Sequence, residues 1–333
     1  MNSNILHTPK VSVVMSLYNE PMQWIREAVG SVLSQSFKEF EFVIICDRPQ
    51  YLEAISYIET LQNEDDRIVF ICNPENIGLT RSLNIGIKAA RGEYIARMDA
   101  DDICLPLRLE KQAAYMDAHP EINICATDAH IIDADGKITR RNRYIKKTDP
   151  AELLISNILA HPSVMFRRSL LSLRDPFYNE EYRYSQDYEL WQFLFLNGVL
   201  PHTLQEPLLL YRKSSNQVSA AQRSQQAECF KRAHRRLITD WLVNNKIIGR
   251  EDCDVPRIML QKASEAYVNI AEESRHALAH IIYVLYFSIG THQWKYRLLY
   301  LLDRNLVVFK VKFIFTFRLF FSSRTRKNKS GLI

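Results

Sequence analysis

The chain has 333 residues, 47% hydrophobic and 24% charged, with a formal net charge of +5. This composition excludes a disordered or fibrous chain and is enough for one large domain or two smaller ones. No run reaches the roughly 20 apolar residues of a membrane span, and Met1–Lys10 lacks the apolar core of a signal peptide, so neither is expected. The six cysteines form no C-x-x-C pair. Cys46, Cys72 and Cys125 sit in apolar, strand-like runs and read as buried free thiols in a reducing cytosol.

The first 140 residues alternate strand and helix. Val11–Met15 is a predicted strand. Trp24, Ile25, Ala28, Val29, Val32 and Leu33 then recur at helical spacing, with Pro21 near the helix start. Phe40–Cys46 is a strand, Tyr51–Leu61 a helix and Ile68–Cys72 a strand. Leu79, Leu83 and Ile87 mark a helix that stops at Gly92. Tyr94–Met98 is the fourth strand, Arg108–Ala118 a helix and Ile122–Ala126 a strand. Asp128, His130, Asp133 and Asp135 belong to a strand end and a turn at Gly136. His161–Phe166 reads as a strand, and Tyr184–Trp191 leads into an apolar helix with Trp191 in the core. From about residue 222 the pattern is mainly helical.

Alternation of strand and helix implies an α/β fold, a parallel sheet with helices on both faces. Ligands of such sheets bind outside the carboxyl ends of the strands. That rule puts Leu17–Glu20, Asp47 and Asp99–Asp102 on one rim. Three carboxylates crowded at a strand end repel one another, and hard divalent cations bind several carboxylate and phosphate oxygens. A metal held between these acids and a nucleotide diphosphate is the reading that follows. Asp102 could equally cap the next helix.

Four segments, Val13–Glu20, Asn76–Asn84, Gly92–Asp102 and Gln186–Trp191, together with Pro106-x-Arg108-Leu109-Glu110-x-Gln112, resemble the family 2 glycosyltransferases of GT-A fold over about residues 10–215. The resemblance implies a GT-A, Rossmann-like nucleotide-binding sheet. It also implies inverting transfer of a sugar from a nucleoside diphosphate sugar, usually a UDP-sugar, to an acceptor hydroxyl. Carried over residue by residue, Leu17, Tyr18, Asn19, Glu20, Asp47, Asn76, Arg81, Asp99 and Ala100 would bind the nucleotide-sugar. Asp101 would ligate Mn²⁺ or Mg²⁺, and Asp187 would be the general base. His161, Gln186, Arg212 and Lys213 are candidate acceptor or diphosphate contacts.

The pattern has departures. Cys46-Asp47 stands where two acids are common, Gln186-Asp187 where Glu-Asp is common, and Ser214 where a metal- or diphosphate-contacting histidine is common. The last change shifts that task to Arg212 or Lys213.

The expected domains are a catalytic domain over residues 1–220 and a helical, basic region over 221–333. In the latter, Lys310, Lys312 and Arg318 interrupt an aromatic run over 306–321, and Arg324, Arg326 and Lys327 follow. Such a segment suits peripheral contact with an anionic membrane at the inner face of the cell membrane. The acidic rim opposes nucleic acid as a partner. The whole reads as a cytoplasmic glycosyltransferase that extends a lipopolysaccharide, O-antigen or capsule glycan on a lipid-linked acceptor. The alternatives are a nucleotidyltransferase of similar fold and a non-catalytic glycan- or lipid-binding partner.

Overall fold

The computed structural model describes residues 8–142, 157, 159–213, 223–267 and a few positions between 269 and 282. The basic aromatic run over 306–321 lies outside the described residues, as do Ser214 and the expected domain boundary at 220/221. The chain divides into two units, Met1–Leu237 and Ile238–Ile333.

The first unit is built on a nine-stranded mixed sheet. Its strands are β1 (Val11–Leu17), β2 (Phe40–Cys46), β3 (Ile68–Cys72), β4 (Tyr94–Asp99), β5 (Ile103–Cys104), β6 (Ile124–Ile132), β7 (Ile138–Asn142), β8 (Met165–Arg167) and β9 (Pro201–Arg212). The spatial order is β3-β2-β1-β4-β8-β6-β9-β5, with β7 beside β6. The helices are α1 (Met22–Leu33), α2 (Leu52–Glu64), α3 (Leu79–Ala89), α4 (Arg108–Ala118), α5 (Gln186–Leu196), α6 (Arg223–Asn244) and α7 (Pro256–Ala266).

Strand β1 pairs in parallel with β2 and β4, and β2 with β3. This is the parallel sheet that the alternation implies. The other half is different. Strand β8 runs antiparallel to β4 and β6, and β9 is parallel to β6 but antiparallel to β5.

Residues alternate between the two faces of a strand, and the core follows that period. Val11, Val13, Met15 and Leu17 of β1, with Phe42 and Ile44 of β2, pack against Ile25 and Val29 of α1, Ile58 of α2 and Met116 of α4. Val14, Val43 and Ile45 face the other way, onto Leu83 and Ile87 of α3 and Leu190, Trp191 and Leu194 of α5. Trp191 is a core residue, as its spacing implies. Helix α3 sits very close to the sheet at Gly86, where a Cβ would fall 2.5 Å from Ile45 Cδ1 and 2.7 Å from Val14 Cγ1.

Three local expectations change. His161–Ser163 is a 3-10 turn and not a strand, with Ser163 N–H donating to Ala160 O at 2.8 Å. Pro162 has no N–H for a ladder, which favours the turn; the strand begins only at Met165. Cys72 is exposed, not buried, because it ends the edge strand β3. Asp102 does not cap α4, whose N-cap position is Leu107.

Within the second unit, a turn at Arg250–Asp252 precedes α7. Asp252 accepts from Gly249 N at 2.9 Å and pairs with Lys262 at 2.6 Å. Among the described residues, no helix is long and apolar enough to cross a membrane.

Candidate active site

The parallel register sets the rim. Leu17 lies opposite Cys46, and Ser16 opposite Asp99. The loops leaving β1, β2 and β4 therefore start side by side. Leu17 and Ala100 are buried; Leu17 O accepts from Asp47 N at 2.9 Å.

The β1 loop turns back on Glu20, whose carboxylate accepts the N–H groups of Tyr18 at 2.7 Å and Asn19 at 3.1 Å. Arg48 donates to the Asn19 side chain. This leaves Tyr18 45% exposed at the rim. Burial pushes the Glu20 carboxyl upward against its backbone hydrogen bonds, and the charge on Asp99 adds to the rise.

Asp47 is buried and already engaged. Its Oδ1 accepts from Asn73 Nδ2 at 2.8 Å and Ile77 N at 3.0 Å, and its Oδ2 from Gly78 N at 2.8 Å. It clamps the loop from β3 to α3, where Gly78 adopts φ +88°, a conformation disfavoured for side chains with a Cβ. Asn76 is exposed in that loop, with Oδ1 accepting from Gly78 N at 3.0 Å. Any base or ribose contact by Asp47 has to share oxygens that hold this loop. Asn73 directly follows β3 as Asp47 follows β2. Sequence reading missed it, although the strand-end rule applies to it equally.

The oxygens of Asp99, Asp101 and Asp102 lie within 4.8 Å of one another. Asp102 is fully buried; Oδ1 accepts from Arg212 N at 2.7 Å, and Oδ2 has no hydrogen-bond partner. Burial, then the charges of Asp101 and Asp99, raise its pKa well above the carboxylate range. A converging carboxylate set with one orphaned buried oxygen fits a hard divalent cation.

Two buried arginines brace this turn. Arg97, within β4, donates to Met98 O and pairs with Asp99. A cation inside an apolar strand was the available signal, and sequence reading did not use it. Arg212 is 1% exposed. Its Nε donates to Asp101 O at 2.7 Å, one terminal nitrogen to Ala134 O at 2.9 Å, and the other to Glu27 at 2.5 Å. Its guanidinium lies 5.0 Å from the Trp24 ring. The expected diphosphate contact is thus a buried support of the acidic turn. Lys213 next to it is exposed, and its backbone N donates to Ile132 O.

Asp187 opens α5, at the favourable positive end of the helix dipole. It accepts from Asn157 Nδ2 at 2.5 Å. Burial raises its pKa, the bonds from Tyr188 N and Asn157 oppose that, and Asp99 is close enough to add to the rise. Gln186 is buried with its Oε1 unpartnered.

His161 is buried beneath, 2.7 Å from the Tyr178 hydroxyl and edge-on to Trp191. Burial, then Arg97, hold its pKa well below the histidine range. That is a neutral, hydrogen-bonded histidine. Arg81 is mostly exposed on α3 and pairs with Glu180 at 2.7 Å. Tyr178 and Glu180 carried no local sequence signal.

Residues 12–173 match the family described as Glycosyl transferase family 2. An uncharacterized glycosyltransferase of Methanocaldococcus jannaschii is 37% identical over 207 residues, 61% of this chain and 71% of that one. An uncharacterized glycosyltransferase of Haemophilus influenzae is 31% identical over 324 residues, 92% of this chain and 97% of that one. The O-antigen biosynthesis glycosyltransferase WbnJ of Escherichia coli is 30% identical over 216 residues, 63% of this chain and 83% of that one. The solved S. aureus TarS 1-349 in complex with UDP-GlcNAc has a TM-score of 0.56 at 17% identity, covering 84% of this chain and 81% of that one. That likeness gives the GT-A fold. The chain belongs to glycosyltransferase family 2.

Proposed function

We propose that this glycosyltransferase transfers a sugar from UDP to a hydroxyl of a glycan or lipid-linked acceptor in surface polysaccharide assembly, with inversion at the anomeric carbon. The observation that carries the reading is the convergence of Asp99, Asp101 and Asp102 at the carboxyl edge of the parallel strands, where β1 and β2 also end. The UDP-GlcNAc in a neighbour of similar fold and the O-antigen role of WbnJ support the donor and acceptor classes.

The nucleoside lies against the Tyr18–Glu20 loop and the loop that Asp47 clamps, and the diphosphate faces Asp99 and Asp101. Asp101, with Asp99, would hold Mn²⁺ or Mg²⁺, which when bound supplies positive charge to the departing diphosphate. Asp187 takes the proton of the acceptor hydroxyl as its oxygen bonds the anomeric carbon and the diphosphate leaves. A raised pKa suits that task at neutral pH. One base acting in a single displacement gives inversion. The basic aromatic C-terminal segment holds the enzyme at an anionic membrane, beside its acceptor.

Calorimetric titration of UDP, GDP and CDP, with and without Mn²⁺, tests this. UDP is expected to bind with metal, and Asp101→Ala to abolish the metal-dependent part. Equal binding of all three nucleotides, unaffected by metal and by Asp101→Ala, would sink it.

A further inference from the structure

Two cysteines stand outside the chemistry described so far. Cys46 ends β2, Cys72 ends β3, and the two are register partners in the parallel pair. Register partners project to the same face, and adjacent strands lie about 4.8 Å apart. A disulfide accepts Cα separations of about 4.4–6.8 Å, so no large backbone movement is needed to join them.

Their environments differ. Cys46 is fully buried, and its thiol donates to Arg48 O at 3.3 Å. Burial pushes its pKa up to about 11, and the Cys72 thiol, within interaction distance, adds to the rise. Cys72 is exposed at the sheet edge. Peroxides oxidise accessible thiolates, and a neighbouring thiol then resolves the product.

We propose that Cys72 is a thiol-oxidation site and Cys46 its resolving partner. Peroxide transfers one oxygen to the Cys72 thiolate, giving a sulfenic acid and hydroxide. The Cys46 sulfur then attacks the Cys72 sulfur, loses its proton and expels water as the disulfide forms. Two thiols are oxidised and one peroxide is reduced.

The bond would be felt at the rim. Asp47 and Asn73 are the next residues on each strand, and Asn73 N donates to Cys46 O at 2.9 Å. Asn73 Nδ2 bridges Asp47 Oδ1 and Ser82 Oγ, and Asp47 holds the Ile77–Gly78 backbone. Bringing two sulfurs to about 2.05 Å turns both side chains toward each other, takes the Cys46 thiol from Arg48 O and so disturbs the chain next to this clamp. That consequence rests on the donor-site reading above; the oxidation chemistry does not.

The test treats the reduced full chain with hydrogen peroxide and maps its peptides without reduction. The expected main product is one disulfide-linked peptide pair carrying Cys46 and Cys72, two hydrogens lighter than the thiols. In Cys46→Ser, Cys72 should pass on to the sulfinic acid. Wild type in which Cys72 is over-oxidised while Cys46 stays free, or in which another cysteine reacts first, overturns the proposal. UDP titration of oxidised and reduced protein reads the coupling. A tenfold or larger loss of affinity is expected, reversed by dithiothreitol and absent in Cys72→Ser. Equal affinity in both forms overturns the coupling. If the reduced protein binds no UDP, the donor reading fails while peptide mapping still decides the oxidation site.

Discussion

Replacing Arg212 with methionine separates a support from a ligand contact. Methionine keeps much of the stem volume and removes the donors. The carbonyls of Asp101 and Ala134, which accept at 2.7 and 2.9 Å, then lose those donors; Ala134 is exposed and keeps its bond from Trp24 Nε1 at 3.2 Å, whereas the Asp101 residue is half-buried. Losing the charged donor at Asp101 costs about 1–3 kcal/mol, and the loss at Ala134 costs less, because Trp24 and water still reach that oxygen. Glu27 also loses its partner, but it is 33% exposed and rehydrates, so its share is discounted. The sum is about 2–3 kcal/mol, or a fall in melting temperature of about 4–12 °C for a unit of this size. Calorimetric melting of the full chain reads the first effect, and UDP titration with Mn²⁺ reads the second. Binding should weaken together with stability, because the Asp101 backbone has lost its anchor. A variant that melts within about 2 °C of wild type but no longer binds UDP would refute this reasoning and return Arg212 to the diphosphate.

Asp187→Asn should lower turnover by about 10²–10⁴-fold with UDP affinity unchanged; loss of both together would deny it the role of base. In the wild type, the acid limb of the rate profile should lie above the ordinary carboxylate range, because burial raises Asp187 and protonation disables it as pH falls. The same shift opposes folding: the penalty is absent below the unfolded pKa and grows as pH rises through the folded one. Asp187→Asn should therefore melt higher than wild type at neutral pH and level with it in acid, and the reverse order would contradict the burial argument. Gly86→Ala places a Cβ against Ile45 and Val14 and should cost about 1–3 kcal/mol; an unchanged urea midpoint would show that α3 can move away freely.

The parallel half of the fold was legible because its information is local. Apolar period-two runs at β1 and β2 and helical spacing in α1 state both the element and the face it buries. The rim followed, since parallel strands share one carboxyl edge. The rest depends on pairings between distant segments. Strand β9 meets β6 and β5 through nothing visible in Pro201–Arg212 alone, yet that pairing carries Arg212 to Asp101. A cation after a strand and near acids looks the same in sequence whether it faces phosphate or a backbone carbonyl. Asp47 shows the same limit. Its strand-end position was readable, but its bonds to Ile77 and Gly78 depend on how the next loop folds back. Tyr178 reaches His161 across a turn with no periodic signal.

The buried arginines also change the argument about the crowded carboxylates. A strand ending in Asp99, Asp101 and Asp102 looked from sequence like a charge cluster that only a cation from outside could relieve. The protein supplies part of that relief itself. Arg97 pairs with Asp99 from within β4, and the Arg212 guanidinium sits under the main chain of Asp101 while its N–H binds Asp102. Burial, then the charges of Asp101 and Asp99, push the pKa of Asp102 up as well. Two fixed cations behind three acids leave the turn folded and still electronegative toward the rim. Folding the turn and binding a metal diphosphate there are therefore separable properties. Substitutions behind the turn should act on stability first, and substitutions of Asp101, whose side chain is not buried, on ligand binding first.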